Sequence, residues 1–211
     1  EIPNSAWIPP DGSRRVGPAR VRCVIGLRRI GPDEFTARLD VVLDIYTAAM
    51  RPPADQLTGR KAIMGNHAVH PGFTCLFAER ADGTPVGVAY GFHGAPGQWW
   101  HDVVRQAMTE QNGAENANDW LGDALEIAEV HVHPDHHGEG IGRAMVTGLC
   151  EGRPERTAVL STRDQATAAR HLYRGIGFAD LLTQFVFPGG YERYAIVGAV
   201  LPLAPASRPR G

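Results

Sequence analysis

The sequence predicts an α/β fold of the α+β kind, with one largely antiparallel sheet flanked by helices. Three observations carry this. Two apolar runs flank the turn Ala81-Asp82-Gly83, and two more flank Pro188-Gly189-Gly190, so two hairpins are expected. Between them the pattern alternates strand, helix, strand, helix from Leu125 to Arg174.

Taken in order, Arg20 to Leu27 alternates as a strand. Pro32 to Met50 places Phe35, Leu39, Val42, Leu43 and Tyr46 at helical spacing behind a proline start, which predicts one helix. A second helix is expected from about Ala54 to Asn66. The first hairpin is FTCLFAERADGTPVGVAYGF; the stretch Gly94 to Gly122 that follows reads as irregular, with a short helix from about Val103 to Gln111. An insert of that length points to function more than scaffold. Strands at Leu125 to His133 and Thr157 to Ser161 alternate with helices at Gly142 to Cys150 and Gln165 to Arg174, the last closed by Gly175. The hairpin LLTQFVFPGGYERYAIVGAVL ends the domain. Residues 1–19 and 204–211 read as flexible tails around one domain at 20–203.

Composition narrows the function. The chain of 211 residues is 43% hydrophobic and 21% charged, values of a globular domain able to bury a core. A formal charge of -2 without a basic block argues against a nucleic-acid partner. No apolar run is long enough for a signal peptide or a membrane span, so no membrane partner and a cytoplasmic location are expected. Cys23, Cys75 and Cys150 form an odd, widely spaced set, read as reduced, buried thiols.

The stretch EIAEVHVHPDHHGEGIGRAMV is the chemical signal of the chain. A dinucleotide fingerprint requires its glycines directly after a strand, and here His133 to His137 intervene; a P-loop requires Gly-Lys-Ser/Thr, which is absent. What stands is a strand, a turn through Pro134, and Gly138, Gly140 and Gly142 leading into an apolar-faced helix. Glycines let backbone N–H groups close on a ligand, and a helix start adds about half a positive charge, which suits a pyrophosphate. A packing turn is the plainer alternative. His131, His133, His136 and His137 also raise a metal site, since neutral imidazole binds Zn.

The run Val132-His133-Pro134-Asp135-His136-His137-Gly138-Glu139-Gly140-Ile141-Gly142 resembles the acyl-CoA loop V-x-P-x-x-[Q/R]-G-x-G-[I/L]-G of the GCN5-related N-acetyltransferase (GNAT) superfamily, with His137 where Gln or Arg is usual. Ala169 to Phe178 resembles a second signature of that superfamily, A-x-x-L-Y-x-x-x-G-F, with Ala166 where an Asn is common. The resemblance implies a mixed, mostly antiparallel sheet of about seven strands with a splayed central pair, and acetyl-CoA as cosubstrate. It implies no metal. It further implies cofactor binding by Val130, His131, Val132, His137, Gly138, Glu139, Gly140, Ile141, Gly142 and Arg143, and Tyr173 beside the sulfur as proton donor to the departing thiolate. Homodimers are common in the family.

An acceptor ammonium with a pKa near ~10.4 resists losing its proton at neutral pH, so a base is useful. Leu125 and Ile127 share one parity and Val130 and Val132 the other, the signature of a β-bulge. By the resemblance, Glu126 holds the position of the base, with Glu129 and then His131 behind it. By the resemblance, Trp99, Trp100 and Asp102, in the cluster GQWWHD, are expected to wall the acceptor pocket, an aromatic surface with a carboxylate that suits a cationic amine; packing of the two tryptophans under a long loop is the plainer alternative. The segment Arg51 to Arg60 is a second such wall. The expected function is direct acetyl transfer from acetyl-CoA to a primary amine of a small molecule or peptide. A non-catalytic acyl-CoA-binding regulatory module is the alternative.

Overall fold

The structure is a computed structural model that describes residues 25–204. The two expected tails, apart from Ala204, lie outside the described residues, as do Cys23 and the start of the first expected strand.

Among the described residues seven strands form one sheet in the order β1-β2-β3-β4-β5-β7-β6. They are β1 (Ile25–Ile30), β2 (Thr74–Arg80), β3 (Pro85–Gly94), β4 (Ala124–Val132), β5 (Thr157–Arg163), β6 (Ala179–Phe185) and β7 (Tyr194–Val200). All neighbours are antiparallel except β4 and β5. Both hairpins form where the turn residues call for them. Gly83 and Gly189 sit at φ +81° and +78°, a left-handed backbone that glycine enters without a Cβ clash.

Among the described residues seven α-helices cover the sheet: α1 (Pro32–Ala37), α2 (Leu39–Met50), α3 (Leu57–His67), α4 (Trp99–Asn112), α5 (Ala114–Leu121), α6 (Ile141–Cys150) and α7 (Ala168–Arg174). The single helix expected over Pro32–Met50 is two. The Arg38 N–H is shared between the carbonyls of Glu34 and Phe35 at 3.1 and 3.0 Å, the tightening that ends an α-helix. The guanidinium of Arg38 is drawn over the Phe77 ring, 4.7 Å from its centre, and onto Glu79. The irregular insert expected at Gly94 to Gly122 is instead a helix pair. Trp100, Val104, Ala107 and Met108 recur at i, i+4, i+7 and i+8, so the helical face begins at the tryptophans rather than at Val103. The last helix starts at Ala168, later than its expected start at Gln165, because the Thr167 hydroxyl caps it by accepting from Arg170 N at 3.1 Å.

Successive strand residues face opposite sides of the sheet, and the cores follow that rule. Leu76, Leu125, Ala158 and Val197 pack under α6, with Met145, Leu149 and Tyr173. On the other face α1, α2 and α3 cover Phe77, Val88 and Tyr90, while α4 and α5 cover Ala124, Val159 and Ile196. Between these two helix groups β4 presents Glu126, Glu129 and His131. Cys75 and Cys150 are free and buried, and burial pushes both thiols up.

Two irregularities of β4 prepare the site. Glu129 pairs with Tyr90 and Ile127 with Gly91, which leaves Ala128 as the extra residue of the bulge that the parity shift predicts. Then β4 pairs with β5 only over Ala124–Glu126, against Thr157–Val159. Beyond Glu126 the two strands splay, and the β5-facing edge of Ile127–Val132 has no strand partner among the described residues.

Gly91 is what lets β3 close on the bulge. A Cβ there would stand 2.5 Å from the Glu126 carbonyl oxygen and 3.2 Å from Ile127 Cα, backbone that cannot swing aside. Gly91→Ala is expected to lower stability by about 1–3 kcal/mol, the usual cost of overpacking, as read by urea unfolding. An unchanged midpoint would show that the bulge is not locked by this contact.

Candidate active site

The glycine-rich turn follows β4 directly. Pro134–His136 forms a short 3-10 turn, and His133 Nδ1 accepts from Asp135 N at 3.3 Å. Gly138 and Gly140 then adopt φ +79° and +80°, and α6 starts at Ile141. Around Gly138 and Gly140 the position of a Cβ meets nothing within 4 Å, so these two glycines serve conformation and leave the backbone open. Gly142 differs, because its Cβ would meet Leu172 Cδ1 at 3.1 Å; it lets α6 approach α7. Arg143 Nη1 donates to the Gly175 carbonyl at 3.0 Å and fixes the same contact. Turn and helix therefore present the N–H groups of residues 138–142 at one exposed corner beside the splayed strands.

The four histidines disperse to separate partners. His131 Nε2 meets Glu129 Oε2, His133 lies by Asp135, His136 Nδ1 is 3.4 Å from Glu139, and His137 Nε2 is 2.9 Å from the Val132 carbonyl. Among the described residues no group of three or more His, Cys, Asp or Glu side chains is placed to hold a metal ion.

The slot between β4 and β5 has distinct walls. Val130 and Val132 pack toward α6, on the face that also buries Tyr173 from α7. The Tyr173 ring is 7% exposed and lies 5.8 Å from the Phe178 ring. Burial, then the charge of Glu129, pushes its phenol well up, so it stays protonated at neutral pH.

The two carboxylates of the bulge are driven in opposite directions. Glu126 is 4% exposed, and its Oε2 has no hydrogen-bond partner among the described residues. Burial alone raises its pKa to about 8. Glu129 is also buried, which by itself would raise its pKa. A hydrogen bond from His131 and the charge of Arg60 outweigh that and hold it below the ordinary carboxylate range. Arg60 reaches from α3 to bond Glu129 through Nη2, with its guanidinium 4.9 Å over the Tyr46 ring. The His131 ring stands edge-on to the same tyrosine at 5.1 Å. Glu129 is thus a satisfied ion pair, and Glu126 is a proton-holding group poised to titrate near neutrality.

The tryptophan cluster divides by helical phase. Trp99 is 60% exposed and stacks on Phe187, ring centres 5.5 Å apart. Trp100 Nε1 donates to Ser161 Oγ on β5 at 3.3 Å. Asp102 turns away, accepting from Gly97 N at 3.1 and 3.0 Å, so its carboxylate ties the loop before α4. His101 points inward and is 2% exposed. Two further residues border the acids of β4, Arg60 at Glu129 and His101 across Gly94 from Glu126. Arg60 ends the segment read as a second acceptor wall. His101 precedes Val104 and Met108 at i, i+3 and i+7, a spacing that marks it as core-facing.

Comparison with known proteins gives the family of the chain. Residues 39–178 match the family model described as Acetyltransferase (GNAT) family. The GCN5-like protein acetyltransferase Rv2170 of Mycobacterium tuberculosis is 32% identical over 197 residues, covering 82% of this chain and 96% of that protein. The ribosomal-protein-S18-alanine N-acetyltransferase of Escherichia coli superposes with a TM-score of 0.55 at 18% identity, over 86% of this chain and 97% of its own. So does yncA of Salmonella typhimurium, solved with its cofactor acetyl-CoA, with a TM-score of 0.52 at 18% identity over 89% and 99%. At such identities these structures speak to the fold alone, whereas the family match and the Mycobacterium relative reach further. This chain belongs to the GNAT family of acetyltransferases.

Proposed function

We propose that the protein is an acetyl-CoA-dependent N-acetyltransferase that moves the acetyl group directly onto a primary amine of a small molecule or peptide. The observation that carries this is Glu126, a buried carboxyl with an unpartnered oxygen beside an opened strand pair. Membership in the family and the name of its Mycobacterium relative, a protein acetyltransferase, support an amine acceptor.

In this reading the N–H groups of residues 138–142 hold the pyrophosphate, and His137 and Arg143 border it. The free edge of β4 at Val130, His131 and Val132 pairs with the pantetheine arm. Glu126 takes a proton from the acceptor ammonium. The amine lone pair attacks the thioester carbonyl, a C–N bond forms, and the C–S bond breaks. Tyr173 gives its proton to the departing thiolate and recovers one from the amide nitrogen, so the net products are the acetamide, the free thiol and one proton. Trp99 and Trp100 on one side, and Tyr46 and Arg60 on the other, bound the acceptor's approach.

The test is thiol release from acetyl-CoA across a panel of small amines and peptides. Turnover with an amine supports the reading. Acetyl-CoA binding without turnover across the whole panel overturns it in favour of a non-catalytic acyl-CoA-binding module. A second expectation concerns the loop. Gly140→Ala places a Cβ on a left-handed residue, a cost of about 1–2 kcal/mol. Acetyl-CoA Kd should then rise roughly tenfold, by calorimetry, with kcat at saturation little changed.

A further inference from the structure

Three buried side-chain polar atoms lack hydrogen-bond partners among the described residues: Arg60 Nε, His101 Nε2 and Glu126 Oε2. Buried polar groups are nearly always paired, because a lost partner costs roughly 1–3 kcal/mol. Two of the three residues flank one glycine. Glu126 and His101 are 4% and 2% exposed. Both close on Gly94 of β3, where a Cβ would stand 3.5 Å from His101 Nδ1 and 3.7 Å from Glu126 Cβ. Residue 94 itself adds no side chain there.

The placement of His101 is fixed from both ends. Gln98 donates through Nε2 to the His93 carbonyl at 3.0 Å and accepts from Ala95 N at 2.9 Å, which pins the start of α4 over the end of β3. Trp100 holds the other flank on Ser161. The charged or titratable groups acting on the imidazole are Asp102 and Arg105 on α4 and His93 on β3, and Glu126 of β4 stands across Gly94 from it. The packed helix α5 carries its acids Glu115 and Asp119 on its exposed side.

We infer that His101 is the positioning residue for Glu126, its Nε2 supplying the polar partner toward which the Glu126 carboxylate turns each time it takes and releases a proton. The inference rests on Glu126 as base. A ring N–H donated to the carboxylate favours its charged form, so each approach to His101 lowers the proton affinity of Glu126 from the level that burial sets. Asp102, the polar residue that the sequence singles out in this cluster, has no such access, since Gly97 already occupies its carboxylate.

The experiment follows Glu126 directly, by carboxyl carbon NMR against pH, in the wild type, His101→Phe and His101→Gln, with kcat/KM against pH beside it. His101→Phe is expected to move the Glu126 midpoint up by about one pH unit and to lower kcat/KM at pH 7 about tenfold, with activity regained at alkaline pH. His101→Gln, whose amide keeps a donor, is expected to restore most of both and guards against a Phe variant that fails to fold. An unmoved Glu126 midpoint in a folded variant overturns the inference, as does a loss of activity independent of pH. The outcomes separate from those of the proposed function. If no amine is acetylated yet the NMR midpoint shifts, the acetyl-transfer reading fails and the pairing stands.

Discussion

Glu126→Gln is expected to lower kcat by about two to three orders of magnitude, within the range that general base catalysis contributes. Acetyl-CoA affinity should be unchanged, because the loop of residues 138–142 and the free edge of β4 are untouched. The same substitution is expected to stabilise the fold at neutral pH, and the sign follows from linkage. In the unfolded chain the carboxyl ionises around 4.5, whereas in the folded protein burial holds it protonated to about 8. The folded state therefore enjoys its full stability below 4.5 and loses it as pH rises toward 8. Gln keeps the shape and never ionises, so the variant gains on the order of 2–3 kcal/mol at pH 7 and nothing at pH 4. Urea unfolding at the two pH values measures this. Wild-type kcat/KM should rise with pH through a midpoint near 8, as Glu126 ionises, and the variant should lose that limb. Reduced activity together with raised stability distinguishes a strained functional carboxyl from a structural one; equal stability at both pH values would place Glu126 in water or in an ion pair.

Tyr173→Phe carries the second large effect. The hydroxyl is the only group removed, and the ring keeps its place against Phe178 and the core beneath α6. Stability should stay within about 0.5 kcal/mol. Turnover should fall about a hundredfold, because the departing thiolate loses its proton donor. Acetyl-CoA affinity should hold. Since burial pushes the phenol up, Tyr173 stays protonated through the alkaline range where Glu126 becomes active, and no descending limb from Tyr173 is expected below about pH 10. A Phe variant with wild-type turnover on every acceptor would remove Tyr173 from the reaction.

Much of this architecture is local enough to be written in short stretches. Turn chemistry at Gly83 and Gly189 yields both hairpins, and the parity change between Ile127 and Val130 yields the bulge, because each depends only on neighbours in the chain. The glycine loop is legible for the same reason. What escapes is set by helical phase or by distant partners. Two adjacent tryptophans after a glycine read as loop until Val104, Ala107 and Met108 are joined to them, and only then does His101 face the core and Asp102 the outside. The break at Arg38 depends on Glu79, 41 residues away. The difference between Glu126 and Glu129 depends on Arg60, 69 residues from Glu129. Nothing in Ile127-Ala128 between them tells which acid is paired.

The account rests on an open slot between β4 and β5 that receives a thioester between Glu126 and Tyr173. A crystal structure of the protein soaked with acetyl-CoA tests it most directly. The expected density runs from the backbone of residues 138–142, along the free edge of Val130 and Val132, to an acetyl group within reach of the Tyr173 hydroxyl. Density elsewhere, or β4 and β5 paired along their full length with the ligand shut out, would contradict it.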